Sequence, residues 1–214
     1  MKRPLVAVTI LIAVAFSVAV LFPASQTVQA ETIKNIPSQV GADLAQGSLT
    51  QAEVVSAKDY CLKKGGEVDV RAPYFNTNAD EQDWLRLAGE RQFCKFTSKK
   101  DGSRIFVELS TLYSEQPTLA ALAYYALVPV GTCNGNPASC YCSLLGGSDL
   151  FGGINAAGGG WVKKSDPVDT VLETCIFPDM STIDSWGLAY HSFGITRGKD
   201  LSKVLRFKNP YGTN

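Results

Sequence analysis

NPASCYCSLLGG, at residues 136–147, decides the fold because a related stretch, AKDYCLKKGG, stands earlier in the chain at residues 57–66. A shift of 81 positions aligns the Tyr-Cys pair and the Gly-Gly pair of the two stretches. The same shift, without a gap, aligns Cys94 with Cys175 and Phe96 with Phe177. This common register indicates that the chain is a tandem duplication.

The first copy begins with a predicted helix over Gln51–Lys64. Thr50 and Glu53 have the spacing of a capping box, in which each residue caps a backbone amide of the other. Gly65 can adopt the left-handed conformation that commonly ends a helix. Helical spacing predicts one buried face, formed by Val54, Ala57 and Cys61.

The second copy begins with a shorter predicted helix that has different start signals. Asn136 is a favourable N-cap, and Pro137 suits the first helical position because no backbone donor is needed there. Gly146 is placed to end this helix in the same way as Gly65 ends the first.

Alternating apolar residues predict β-strands after the first helix. The predicted strands are Glu67–Phe75, through Val68, Val70 and Ala72, then Phe93–Phe96 and Arg104–Leu109. The shift of 81 positions places Trp186, Leu188 and Tyr190 on a strand equivalent to the last of these. Each copy is therefore predicted to be a helix packed on a small antiparallel sheet, which makes the fold class α+β.

We predict two repeats, at residues 48–130 and 131–214. The first includes an apolar connecting helix, Pro117–Leu127, which we expect to be buried between the copies or to form an interface with a second molecule. Residues 31–47 lack clear periodicity, and we expect a flexible lead-in there.

Residues 1–30 have the pattern of a signal peptide. Lys2 and Arg3 precede the apolar run Leu5–Phe22, and small residues favour cleavage after Ala30. We therefore expect a periplasmic or secreted protein without stable membrane insertion after cleavage. The alternative is an uncleaved N-terminal membrane anchor, because the apolar run is almost long enough to span a bilayer.

Cleavage would leave 18 basic and 20 acidic residues, a net charge of about −2. This balance gives no indication of nucleic-acid binding, which usually requires a basic surface. Oligomeric state is not indicated by the sequence.

Six cysteines follow the signal segment, and an oxidising compartment would allow them to form disulfides. The duplication favours one pairing among the fifteen that six cysteines allow. The predicted bridges are Cys61–Cys94, Cys142–Cys175 and Cys133–Cys140. A metal or redox site at Cys140-x-Cys142 is disfavoured because the spacing is not Cys-x-x-Cys and the chain has a single histidine.

The second copy resembles a small bacterial domain of unknown function that carries the name "putative hemolysin". The pattern of that family is NPAS-x-YC, Gly-Gly, then C-x-FPD-G-S and a tryptophan. It is clear in residues 136–186 and degenerate in residues 57–109, and Met180 replaces the turn glycine. The resemblance implies an exported bacterial domain without established catalytic residues.

The glycine-rich run at residues 152–161 is the best candidate for ligand contact. It lacks the Lys-Ser/Thr of a phosphate-binding loop, and a flexible hairpin tip is the simpler interpretation. We predict that the ligand-contacting residues, if this surface binds, are Gly158, Gly159, Gly160, Trp161 and Trp84.

No catalytic, cofactor or metal site is predicted. His191 and Ser192 follow Asp184, but adjacent side chains on a strand would point to opposite faces, and no nucleophile-elbow motif is present. Asp179 and Asp184 resemble a carboxylate pair, yet a turn explains Asp179 without a reaction.

Three functions follow, in order of preference. The first is an exported, non-catalytic binding protein of the bacterial envelope or medium, whose partner is another protein or an envelope polymer. The alternative is an inhibitor of a secreted hydrolase such as a protease or lysozyme. Enzymatic or hemolysin-like activity is the least favoured.

Overall fold

The computed structural model describes residues 49–129, 131–149 and 157–209. The predicted signal peptide and lead-in lie outside these ranges. Within them, the fold is α+β, with an antiparallel sheet and five α-helices. No helix in these ranges is both long and apolar enough to cross a membrane.

The predicted first helix is present as α1, Gln51–Lys63, and its capping box is formed. Glu53 accepts a hydrogen bond from the backbone of Thr50 at 3.0 Å. Gly65 follows the helix with a φ of 81°. The amide of Gly66 then donates to the carbonyl of Cys61 at 3.0 Å, so the end of the helix is satisfied by a local turn.

The equivalent helix of the second half ends in the same way. It is α4, Pro137–Leu144, and Asn136 caps its first turn. Gly146 has a φ of 83°, and the amide of Gly147 donates to the carbonyl of Cys142 at 2.9 Å.

The second glycine of each Gly-Gly pair is explained by close packing against a disulfide. A Cβ atom on Gly66 would lie 2.3 Å from the sulfur of Cys94, and one on Gly147 would lie 2.3 Å from the sulfur of Cys175. Any larger residue would therefore collide with the bridge that joins helix and sheet.

The three predicted disulfides are confirmed. Cys61–Cys94 and Cys142–Cys175 both have a sequence separation of 33, and Cys133–Cys140 closes a local loop before and within α4. The first two bridges attach α1 and α4 to strands of the sheet, and all four of their cysteines are buried.

Eight antiparallel strands form the sheet, in the order β6-β5-β1-β3-β4-β8-β7, with β2 paired to β1. Their bounds are β1 Glu67–Phe75, β2 Leu85–Arg86, β3 Arg91–Thr97, β4 Arg104–Glu108, β5 Gly159–Val162, β6 Val171–Leu172, β7 Thr174–Ile176 and β8 Thr182–Asp184. Strands from both predicted repeats thus share one sheet.

The sheet curls so that its two ends meet. β6 and β7 are the end strands, yet Glu173 alone separates them along the chain. The concave side encloses a small apolar cluster, which consists of Phe93, Phe106, Trp161 and Leu172 with Ile176 against it.

The helices cover the opposite side of the sheet around a larger core. They include α2, Leu109–Tyr113, α3, Leu119–Ala126, and α5, Ser185–Ser192. The predicted connecting helix corresponds to α3, which contacts α2 and α5 and buries Ala120, Ala121 and Tyr124. These residues pack internally rather than at a surface.

One row of the sheet links the two long disulfides. Cys94 pairs with Val107, Val107 pairs with Ile183, and Ile183 pairs with Cys175. All four side chains are buried in the helix-covered core, so both disulfides are fixed by one line of cross-strand contacts.

The predicted strand through Trp186, Leu188 and Tyr190 is wrong, because these residues lie on α5. The turn between β7 and β8 is shorter than that between β3 and β4, so the gapless shift fails after Phe177. Asp184 then accepts a hydrogen bond from the amide of Gly187 at 2.9 Å and caps a helix.

The predicted strand Glu67–Phe75 is confirmed as β1, but its polar side is the more deeply buried. Asp69 and Arg71 are 0% and 1% exposed, whereas Val70 is 43% exposed. The charged residues point into the curl of the sheet, on the same side as Phe93.

Arg71 is held there by paired charges and carbonyl groups. One guanidinium nitrogen lies 3.2 Å from a carboxylate oxygen of both Asp69 and Asp166, and the other donates to the carbonyls of Trp161 and Asp169. Ionic neighbours complete the network: Lys95, Lys163 and Arg104.

Replacing Arg71 by Met should lower the free energy of unfolding by about 3–5 kcal/mol, because two buried carboxylates lose their central partner. Urea unfolding with the disulfides intact is the measurement. Arg86→Met is the matched control, since Arg86 pairs with Glu90 on the surface and the change should cost under about 1 kcal/mol. Equal losses in both variants would contradict a stabilising role for the buried network.

Met180 occupies a backbone conformation that favours glycine. Its φ is 64°, close to the 71° of Gly102 in the corresponding turn of the first half. In each turn an aspartate accepts hydrogen bonds from the serine two positions later: Asp101 from Ser103 and Asp179 from Ser181.

Met180→Gly should therefore raise the free energy of unfolding by about 1 kcal/mol, since the left-handed strain is removed and the Met side chain is 52% exposed. Gly102→Ala should lower it by a similar amount, because a Cβ there meets open space and only the φ angle is strained. The two denaturation midpoints should move in opposite directions; a shift of the same sign would refute the strain argument.

Candidate functional site

An open cleft of about 1130 Å³ lies where α4, α5 and the β5–β7 segment meet. Its lining combines aromatic, charged and neutral polar groups. The residues that give the cleft these properties include Asn136, Ser139, Asp149, Asp169, Glu173, Asp184, Trp186, Tyr190 and Arg197.

Two aromatic residues on α5 form one wall. Trp186 and Tyr190 are four positions apart and therefore lie on the same face of the helix. Their ring centroids are 6.0 Å apart, and Tyr190 is 38% exposed. The guanidinium of Arg197 lies 5.2 Å from the centre of the Tyr190 ring, so the wall ends in a positive charge.

Two carboxylates of the cleft, Asp149 and Glu173, have neutral hydrogen-bond partners. The hydroxyl of Ser139 donates to Asp149, and the amide of Asn136 donates to Glu173 at 3.0 Å. Among the described residues, no Lys or Arg nitrogen lies within 4 Å of either carboxylate, and no carboxylate lies within 4 Å of the Arg197 guanidinium.

The other two carboxylates of the cleft are already engaged. Asp169 forms an ion pair with Arg104 at 2.6 Å. Asp184 is 3% exposed and caps α5. Burial raises the pKa of Asp184 to about 6, although the amide of Gly187 and the charge of Arg197 act in the opposite direction.

The predicted ligand-contacting residues are only partly brought together. Gly158 and Gly159 line the cleft, whereas Gly160 lies buried against Val171. Trp161 is 7% exposed and packs edge-on against Phe93 at 6.0 Å, so its ring is in the core and is not available as a stacking platform.

Trp84 lies outside the cleft lining. Its indole N–H donates to the carbonyl of Ala79 at 2.9 Å, and its ring meets Tyr74 edge-on at 6.3 Å. Ligand contact through Trp84 would therefore require a surface other than this cleft.

Residues that could suggest a catalytic triad are separated. Asp184 and His191 lie at opposite ends of α5, about 10 Å apart at 1.5 Å per residue. His191 stacks on Tyr124 with ring centroids 3.8 Å apart, and burial lowers its pKa. Asp179 accepts a hydrogen bond from the amide of Leu119 at 2.8 Å, which is a cap for α3.

Within the described ranges, His, Cys, Asp and Glu side chains form no cluster that could hold a metal ion.

Sequence reasoning missed the residues that give the cleft its character. The strand interpretation placed Trp186 and Tyr190 in a sheet, although Asp184-Ser185 also has the form of a helix start. A helical reading would have placed both rings on one face. Arg197 and Glu173 carry no local signal, because the fold alone brings them to the cleft.

No protein-family model matches the chain, and no match was found among curated proteins or solved structures. The resemblance of residues 136–186 to the hemolysin-named bacterial domain stays a prediction from sequence.

Asp184 should give stability a distinct pH dependence. Its folded pKa of about 6 lies above the ordinary value of 3.8, so the folded state binds this proton more tightly than the unfolded state. The stabilisation is complete below pH 4 and is lost as the pH rises through 6. Asp184→Asn keeps the acceptor for Gly187 without a charge, and should be more stable than the wild type by on the order of 2 kcal/mol above pH 7.

Urea unfolding of both proteins between pH 4 and pH 8 provides the measurement. The difference should be near zero at pH 4 and grow as the pH rises. His191 and Asp166 also make the free energy of unfolding depend on pH, since the pKa of His191 is lowered and that of Asp166 is lowered to about 2. Both proteins contain these residues, so their contributions cancel in the difference. A difference that does not change with pH would rule out the raised pKa.

Proposed function

We propose that this chain is an exported, non-catalytic binding protein of the bacterial envelope or medium, and that its ligand lies in the cleft beside α4 and α5. The observation that carries the proposal is the combination of Trp186 and Tyr190 with charged groups that form no ion pair within 4 Å to any other described residue. Binding sites commonly combine an aromatic surface with a few oriented polar groups.

The disulfides support binding because they fix the backbone near two polar residues of the cleft, Asn136 and Glu173. Asn136 lies inside the loop closed by Cys133–Cys140, and Glu173 is two residues before Cys175. A site that is already ordered loses little conformational entropy when a ligand binds.

The duplication is part of the proposal. Its support is the shared sequence of a capped helix, a Gly-Gly turn, a disulfide to a strand, an Asp-x-Ser turn and a second helix. Matching the N-caps of α2 and α5, Glu108 and Asp184, places Ser110 opposite Trp186 and Ser114 opposite Tyr190. We therefore assign ligand binding to the second copy and a supporting role to the first.

Export is proposed from the signal-peptide pattern, and three disulfides fit an oxidising compartment outside the cytoplasm. Inhibition of a secreted hydrolase is the alternative. The cleft favours the binding function over it, because an inhibitor of this kind usually inserts a convex loop into the enzyme. Enzymatic and hemolysin-like activities rank below both.

Sedimentation with a bacterial cell-envelope fraction tests this proposal. The purified protein should sediment with the envelope, and Trp186→Ala should reduce the apparent affinity at least about tenfold because the aromatic wall is lost. Trp84→Ala is the matched control and should bind as the wild type does. Both variants should keep the wild-type far-UV circular dichroism.

Absence of sedimentation, or equal loss in the two variants, would overturn the cleft as an envelope-binding site. Inhibition of a lysozyme or protease panel without envelope binding would favour the alternative function.

A further inference from the structure

The cleft contains charges of both signs that form no ion pair within 4 Å in the part of the chain that the structure describes. Asp149 and Glu173 have only neutral hydrogen-bond donors, and Arg197 contacts the face of Tyr190 without a carboxylate within 4 Å among the described residues. All three side chains are partly exposed, so a ligand can reach them.

An aromatic wall could bind either a neutral glycan or a ligand that carries charged groups. The charges of the cleft favour the second class. A neutral glycan would stack on Trp186 but would partly desolvate Asp149, Glu173 and Arg197 without offering an opposite charge. A glycan hydroxyl can form a charge-assisted hydrogen bond with each of these groups, but only a ligand of opposite charge adds Coulombic attraction that offsets the cost of desolvating the charge. A ligand with a cationic and an anionic group can pair with the carboxylates of Asp149 and Glu173 and with the guanidinium of Arg197.

The dimensions and the remaining lining indicate a peptide rather than a single small zwitterion. A volume of about 1130 Å³ exceeds what one amino acid fills. Apolar surface from Trp186, Val171 and Ile195 lies in the same cleft and can contact the aliphatic part of peptide side chains.

We propose that the cleft binds a short peptide that carries both an ammonium group and a carboxylate. Asp149 and Glu173 accept the ammonium group, Arg197 donates to the carboxylate, and Trp186 packs on the chain between them. This inference rests on the proposed binding function and adds the chemical class of its ligand.

Isothermal titration calorimetry with alanine peptides of three to five residues tests the inference. Peptides with free ends should bind, and the length with the tightest binding is then used. Amidation of its C-terminus should weaken binding at least about tenfold in the wild type, and so should acetylation of its N-terminus. Tri-N-acetylchitotriose serves as the neutral glycan and should bind more weakly than the free peptide.

Two conservative variants connect each ligand group with its residue. In Arg197→Gln, amidation of the peptide should have little further effect, while acetylation still weakens binding. In Glu173→Gln, which keeps an acceptor for Asn136, acetylation should weaken binding less than it does in the wild type, because Asp149 is then the only carboxylate left for the ammonium group. Amidation should weaken binding of this variant as much as it does in the wild type. Arg206→Gln and Glu115→Gln are the matched controls, because this ion pair lies outside the cleft lining, and both should bind like the wild type.

Equal binding of free, amidated and acetylated peptides would overturn the inference, and so would tighter binding of the glycan. If no peptide binds while envelope sedimentation still depends on Trp186, the peptide inference fails and the binding function stands. If sedimentation also fails, both fail. An unchanged thermal midpoint in the variants excludes unfolding as the cause of any loss.

Discussion

The guanidinium of Arg71 holds the chain between β5 and β6 inside the curl of the sheet, and the shape of the cleft depends on that position. It contacts the carboxylate of Asp166 and the carbonyl of Asp169, which lie in the segment that leads into β6 and Glu173. A buried charge is tolerated when its partners are arranged around it, and here they come from β1 and from the β5–β6 segment. The same contacts thus fix the β5–β6 segment against β1 and position the acidic side of the cleft.

Local features of the fold were predictable from sequence because each depends on residues close together in the chain. The capping box at Thr50 and Glu53 and the Asn136-Pro137 helix start need only a few neighbouring positions. The long disulfides were predictable because the repeated spacing reduced the ways of pairing six cysteines. Each helix-to-sheet bridge also explains its own second glycine, which has no room for a Cβ atom beside the sulfur atoms.

Features that depend on contacts across the chain were not predictable in the same way. The alternation in β1 identifies a strand, but it does not reveal that Asp69 and Arg71 would be enclosed, because Asp166, the second carboxylate bound by Arg71, is far away in sequence. The register of 81 positions held only until a turn of different length followed Phe177, and the prediction for α5 failed there. The cleft could therefore not be predicted from sequence. Its shape depends on the enclosed Arg71, and its lining includes Trp186 on α5 and Arg197 after α5.

The carboxylates of this cleft differ in whether a ligand could reach them. Asp184 has a raised pKa, which can indicate a general acid, yet its carboxylate accepts from the amide of Gly187 at the capped end of α5 and is almost fully buried. A general acid must reach an atom of the substrate, so the raised pKa of Asp184 is better explained as a consequence of burial. Asp149, Glu173 and Arg197 are partly exposed and form no ion pair within 4 Å among the described residues, so they are the charges that a ligand could neutralise. Their arrangement favours recognition by complementary charge, with the aromatic wall as the surface on which the ligand packs.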